Sequence, residues 1–320
     1  MATMLSVAKI WDAAEHNAFT DLARFRGEWF CTFREADAHV PGRNGTIRVI
    51  ASDDAESWTS AALLDEPGVD LRDPKVCVTP DDRLMLVIGG SVYAGDEAQP
   101  NRAIRTRRTR VAFSDDGRKW SPLRPILSEP DWLWRVTWHE GIAYGISRRP
   151  VGGMDQLGDR TAERVATLWQ SSDGVQYERM PGSDAFEMPG WPNETTLRFD
   201  GDEMVALVRR ELGDRHARIG TSPPPYEDWT WHDAGHFIGG PNFIVLPDGA
   251  MIAGGRHVMD GRPKTAIGPM TRTGHSPELV LPSGGDTSYP GFVWHADRLW
   301  VSYYSSHDDR TSIYLATVRL

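Results

Sequence analysis

Six times along this chain an apolar stretch runs into a two-residue turn and out into a second apolar stretch, and this repeat limits what the chain can fold into. The clearest copy is Pro192-Asn193-Glu194-Thr195-Thr196-Leu197-Arg198-Phe199, then Asp200-Gly201, then Asp202-Glu203-Met204-Val205-Ala206-Leu207-Val208-Arg209. It reads as a β-hairpin, because Asp-Gly accepts the φ > 0 backbone of a tight turn between antiparallel strands. The other copies open near Phe19, Asp73, Leu133, Pro241 and Tyr289. They turn at Arg26-Gly27, Asp81-Asp82, Glu140-Gly141, Asp248-Gly249 and Ala296-Asp297.

A second motif follows the hairpins. Ser52-Asp53-Asp54-Ala55-Glu56-Ser57-Trp58, Ser114-Asp115-Asp116-Gly117-Arg118-Lys119-Trp120 and Ser171-Ser172-Asp173-Gly174-Val175-Gln176-Tyr177 share the pattern Ser-x-Asp-Gly-x-x-aromatic, and Ser222 to Trp229 is a degraded fourth copy. The aspartate can cap backbone N–H groups, the glycine takes positive φ, and the aromatic folds back over the turn. These aspartates are expected to build turns. Two hairpins per repeat, at intervals of roughly one sixth of the chain, make a four-stranded blade. Six such blades give an all-β, six-bladed β-propeller of antiparallel sheets. The last blade shows only Gly291–Val293, Leu299–Tyr304 and Ser312–Val318, so the alternating segment Leu5–Trp11 is expected to supply its fourth strand and close the ring. No linker interrupts the pattern, which predicts one domain over 1–320.

Composition agrees: 13 tryptophans, 31 glycines and 22 prolines suit many short strands and turns. A net charge of −10 without an offsetting basic stripe argues against nucleic acid as partner. The one basic cluster, Arg102–Arg110, reads as a solvated loop and edge strand. Cys31 and Cys77 fall in predicted strands and are expected to be free, buried thiols. The ten histidines show no ligand spacing, so neither a metal nor a cofactor is expected. No apolar run reaches membrane-spanning length, and the first 20 residues lack a basic segment followed by an apolar one. The chain as numbered is therefore expected to be cytoplasmic, or secreted with its signal segment removed.

The innermost strands of a propeller line its axis and open on one face. Aligning the hairpins on their first core residue places Phe19, Asp73, Leu133, Glu194, Pro241 and Tyr289 at equivalent starts and Arg34, Gly89, Arg148, Arg209, Arg256 and Tyr304 at equivalent ends. Glu194 and Arg209 thus share the open end of one hairpin. Four arginines at one rim would repel one another unless they serve a shared anion, and their planar forks suit a carboxylate.

Taken together, the Asp-box turns, the Pro-Asn-Glu start, the arginine one hairpin later, the arginine in the next blade and the tyrosine of the last blade resemble the sialidase (neuraminidase) superfamily. The resemblance spans essentially the whole chain. It implies an exo-glycosidase removing a terminal acidic sugar, with Tyr289 as nucleophile, Glu194 as its base and an acid/base from the first blade. Asp37 is the leading candidate for that role and His39 the next, with Glu35 expected to pair with Arg34. It further implies that arginines clamp the substrate carboxylate: Arg209 and Arg256, joined by Arg34 or Arg72. The chain departs from the family in lacking the first-blade Arg-Ile-Pro, having His16-Asn17-Ala18-Phe19-Thr20 there. A neutral phenol suits such a substrate, because a carboxylate nucleophile would be repelled by the sugar's own carboxylate. Two rival readings are a propeller lyase or rhamnosidase-like hydrolase using His39 on uronate glycans, and a non-catalytic carbohydrate-binding propeller.

Overall fold

The computed structural model describes residues 2–40, 42–95, 103–182 and 188–320. Six four-stranded antiparallel sheets surround a common axis, five of them ordered from the inside outward along the sequence. Blade one holds His16–Phe25, Glu28–Ala36, Thr46–Ser52 and Thr59–Leu64; blade two holds Asp70–Val78, Leu84–Tyr93, Ile104–Ser114 and Arg124–Ile126. Blade three is Trp132–His139, Ile142–Pro150, Arg164–Ser171 and Glu178–Arg179; blade four is Pro192–Asp200, Glu203–Arg210, Arg218–Ser222 and Thr230–Asp233. Blade five is Gly239–Val245, Met251–Met259, Arg262–Met270 and Leu279–Val280. Blade six is Thr287–His295, Arg298–Ser305 and Ser312–Arg319, completed by the N-terminal strand Thr3–Trp11. That strand pairs from Thr3 opposite Arg319 to Trp11 opposite Ile313, closing the ring as expected and leaving no unpaired edge on Ser312–Arg319.

The predicted turns join the inner hairpins, and Arg26-Gly27, Glu140-Gly141 and Ala296-Asp297 have both residues at positive φ. The Asp motifs are turns as well. In the second copy Asp116 Oδ1 accepts from the N–H groups of Arg118 and Lys119, both at 2.8 Å, and the Trp120 indole donates to the Gly117 carbonyl at 3.1 Å. The degraded fourth copy keeps only the indole bond, from Trp229 to the Tyr226 carbonyl.

The basic run departs from its reading as a solvated loop and edge strand at its end, Thr109 and Arg110, which are buried. Arg102 lies outside the described residues, and Ile104–Ser114 is the third strand of blade two, covered on its outer side by Arg124–Ile126 only at Thr109–Val111. Arg110 is buried there against Glu66, with Nε 2.6 Å from Oε2. Cys31 is buried, Cys77 is half-buried, and both are free.

Candidate active site

Every innermost strand carries the same irregularity. The ladder to the second strand skips between Ala18 and Asp21, Arg72 and Lys75, Leu133 and Val136, Pro192 and Thr195, Gly239 and Asn242, and Ser288 and Gly291. In each case one extra residue on the inner strand makes a bulge, which bends the strand and re-aims its side chains. Phe19 (φ 67°), Asp73 (φ 51°) and Tyr289 (φ 54°) take left-handed backbone there. That conformation costs a non-glycine residue about 1–2 kcal/mol, and such strain collects at functional sites. Gly240 (φ 57°) is the matching residue of blade five, and a Cβ on it would lie 2.8 Å from the Tyr289 ring. By register the matching residues are Phe19, Asp73, Trp134, Asn193, Gly240 and Tyr289, one position off the expected alignment in blades three to five.

Tyr289 and Glu194 meet at the axis. The phenol donates to Glu194 Oε1 at 2.7 Å, and Arg209 Nη1 donates to the same oxygen at 2.9 Å. Glu194 Oε2 is buried without a partner. The Tyr289 ring is walled by Phe19, Trp134 and Tyr304, at centroid distances of 5.1, 5.3 and 5.9 Å. The buried ammonium of Lys75 lies beneath, 4.7 Å from the Trp134 ring and 5.4 Å from that of Tyr289. Burial and the Glu194 and Asp73 charges push the Tyr289 phenol well above its ordinary value. Burial opposes ionisation of Glu194 too, but Arg209, Arg148 and the tyrosine hydrogen bond outweigh it and hold Glu194 below the usual range. The resting pair is thus a neutral phenol on a carboxylate, the protonation a base needs.

Asp73 is the site residue that the sequence alignment placed at the axis without giving it a role. Burial raises its pKa, Arg72 and Lys75 oppose the shift, and Glu194 adds to it. A carboxyl so placed tends to stay protonated beside one that stays ionised, the division of labour of an acid–base pair.

The remaining sequence-predicted residues separate. Arg256 reaches the mouth, 3.9 Å from Asp286, which accepts from His16 (3.0 Å), His39 (2.6 Å) and the Tyr304 phenol (2.9 Å). Arg72 donates to the His39 carbonyl, lies 5.3 Å over the Phe19 ring, and has a buried Nε that makes no hydrogen bond and lies 3.8 Å from Asp70 Oδ2. Arg209 is already held by two carboxylates, Glu194 and Glu211 (2.7 Å). Asp37 turns to Arg43, accepting from its backbone N–H at 2.9 Å and from its Nε at 3.3 Å. Arg34 is 2% exposed and donates through Nε and Nη2 to Asp70, at 3.1 and 2.8 Å, so it belongs to the packing between blades one and two. Glu35 pairs with Arg48 (2.9 Å) and the Trp11 indole (2.7 Å), correcting the expected Arg34 pair. Neighbouring residues of a strand face opposite sides, so Arg34 and Glu35 diverge.

Arg148, aligned with the rim arginines, is joined by two cations that were not anticipated, Arg107 and Arg164. Arg107 and Arg148 lie over the Trp132 ring at 4.8 and 5.6 Å, and Arg164 lies 4.3 Å over Trp191. Among the described residues no carboxylate lies within ion-pair distance of these three. Burial, then Arg148, brings Arg107 down to about 9 and Arg164 to about 10. Arg148 is lowered by burial and sustained by Glu194 and Asp73, which ties this wall to the Tyr289 pair. The signal was present in the run containing Arg107, but strand parity had to be known to see which arginine faces the mouth.

No protein-family model and no curated protein sequence matches the chain. Solved structures do match, along its whole length. A protein of unknown function from Dyadobacter fermentans superposes with a TM-score of 0.82 at 16% identity, covering 100% of this chain and 99% of that one. Trypanosoma rangeli sialidase, in complex with the inhibitor DANA, matches with a TM-score of 0.69 at 11% identity; 99% of this chain spans 59% of the sialidase. The GH93 α-L-arabinofuranosidase of Fusarium graminearum, in complex with arabinobiose, also gives 0.69 at 11% identity, over 99% and 98% of the two chains. The chain therefore has the six-bladed propeller fold found in sialidases and in arabinan-active hydrolases.

Proposed function

We propose that this protein is a retaining, sialidase-like exo-glycosidase acting on a sugar that carries a carboxylate. The observation that carries the reading is the 2.7 Å hydrogen bond from the Tyr289 phenol to a buried, ionised Glu194. Tyr289 Oη attacks the anomeric carbon as the glycosidic C–O bond breaks; the phenolic proton passes to Glu194, and the leaving oxygen takes a proton from Asp73. Water then cleaves the tyrosyl–sugar bond, giving its proton to the Asp73 carboxylate, while Glu194 returns its proton to the phenol. The raised phenol pKa means no free phenolate accumulates, so proton transfer accompanies attack. We place the acid at Asp73 because Asp37 is engaged by Arg43 and His39 by Asp286. The substrate carboxylate is assigned to Arg72, Arg107, Arg148 and Arg256. Arg34 is enclosed in packing, and Arg209 is neutralised by two acids.

The test is a panel of aryl glycosides of sialic acids, related ulosonic acids, uronic acids and neutral pentoses, with the product anomer followed directly. Retained configuration, a preference for acidic sugars, and covalent labelling of Tyr289 by a fluorinated analogue are expected. An unsaturated, ultraviolet-absorbing product would establish a lyase instead. Turnover of neutral pentosides alone would overturn the acidic-sugar assignment.

A further inference from the structure

Away from the axis, three histidines from separate segments meet at blade five. His236 comes from the link before Gly239–Val245, His257 from the strand Met251–Met259, and His275 from the link after Arg262–Met270. Their ring centroids are 5.1, 5.2 and 5.5 Å apart, and one ring nitrogen of each lies within 4.8 Å of the other two. His275 Nε2 donates to the Ala253 carbonyl at 3.3 Å, which leaves the Nδ1 lone pair facing His236 Nε2 at 3.0 Å. An outer hydrogen bond of this kind fixes the tautomer of a ligating imidazole. His257 is 4% exposed, and its Nε2 has no hydrogen-bond partner. Among the described residues no carboxylate bonds to any of the three. An orphaned buried nitrogen is costly and calls for a missing partner.

We propose that His236, His257 and His275 bind one first-row divalent cation, of which zinc fits best, with a fourth position open on the half-buried His236 side. Zinc takes three imidazoles and a water in a tetrahedron with bonds of about 2.0–2.1 Å, which sets neighbouring nitrogens about 3.3–3.4 Å apart. The His236–His275 pair needs to open by only a few tenths of an ångström to meet that spacing. Intervals of 21 and 18 residues between these histidines carry no motif, so only the fold reveals the set. His257 follows Arg256 on one strand and faces the other way, so the ion would brace the strand that presents Arg256 to the mouth.

The experiment uses chelator-treated, folded wild-type protein titrated with zinc and, separately, with cobalt(II). One ion per chain, a raised Tm with zinc, and the visible absorption of tetrahedral cobalt are expected. His236→Gln, at a half-buried position, and His275→Gln should each weaken zinc binding by at least roughly tenfold. Their metal-free melting curves report whether each variant folds. Failure of the folded wild type to bind either ion stoichiometrically would overturn the proposal. So would unchanged affinity in folded His236→Gln, since the ion would then lie elsewhere, with His16, His39 and Asp286 the next cluster to examine.

Discussion

The aspartates of the outer turns and the carboxylates at the axis are the same chemical groups put to opposite uses. Asp54 is fully exposed and held near a pKa of about 2 by the N–H groups of Ser57 and Glu56 and the Ser52 hydroxyl. Asp116 and Asp173 are lowered in the same manner. Such groups support the fold above their unfolded values of about 3.9, and the support is lost as pH falls towards the folded value. Asp73 has the other sign: its folded pKa is raised, so ionising it in place opposes folding. A carboxylate stabilised by its own turn is a structural part. One destabilised by its surroundings, on a strained bulge beside an ionised partner, is equipped to move a proton.

The largest effect should fall on the axis and spare the turns. Tyr289→Phe and Glu194→Gln should each reduce turnover by roughly 10²–10⁴, and the double variant should lose little more, because both remove one shared proton transfer. Asp116→Asn should leave turnover near wild type while lowering Tm slightly. Equal turnover losses in Asp116→Asn and Glu194→Gln would erase the distinction. Next comes Asp73→Asn, whose loss should be deep for glycosides with poor leaving groups and shallow for activated aryl glycosides, which depart without protonation. In the wild type, kcat/KM should rise through a low pKa as Glu194 ionises and fall at higher pH as Asp73 loses its proton. The alkaline fall should vanish in Asp73→Asn. If Asp37→Asn gives that signature instead, the acid sits in the blade-one loop.

Legibility follows the same line. Turns are local, so Arg26-Gly27, Asp116-Gly117 and the rest could be read from adjacent residues, and six copies fixed the number of blades. The axis depends on parity. The bulges use Phe19, Asp73, Trp134, Asn193, Gly240 and Tyr289, which share no chemistry, so alignment on apolar residues slid by one in three blades. A one-residue slip changes the face a side chain occupies. Blades one and two did not slip: Arg34 was grouped with the rim because Asp70, which holds it, comes from the next blade, and Arg107 was hidden because it lies on the third strand of blade two, outside the aligned hairpins. Tyr289 and Glu194 were found because a family resemblance supplied the pairing, which their separation in sequence does not.

Within the turns, a stability contrast sharpens the comparison. Gly117 sits at φ 70°, and a Cβ there would lie 2.1 Å from the Phe30 ring. Gly117→Ala adds left-handed strain of about 1–2 kcal/mol to the overpacking of a buried ring and should destabilise by about 2–4 kcal/mol. Turnover at permissive temperature should be unchanged. Thermal and urea unfolding measure the first, and a steady-state assay the second. Loss of activity without loss of stability would place this turn in the catalytic machinery.

The smallest expected effect is the reciprocal change in the first copy, where Ala55 already occupies the glycine position at φ 62° with its methyl buried. Ala55→Gly relieves strain of about 1–2 kcal/mol. Against this stand the greater freedom of glycine in the unfolded chain, about 0.4–1 kcal/mol, and the lost burial of one methyl, about 0.8 kcal/mol. These terms nearly cancel, so urea unfolding should place the variant within about 0.5 kcal/mol of wild type. A loss well above 1 kcal/mol would mean that the first turn relies on its alanine methyl as packing, and that the three Asp-box copies are not interchangeable parts. A near-zero result beside a costly Gly117→Ala would show that the steric space around each copy, and not the turn motif, decides which residue is tolerated.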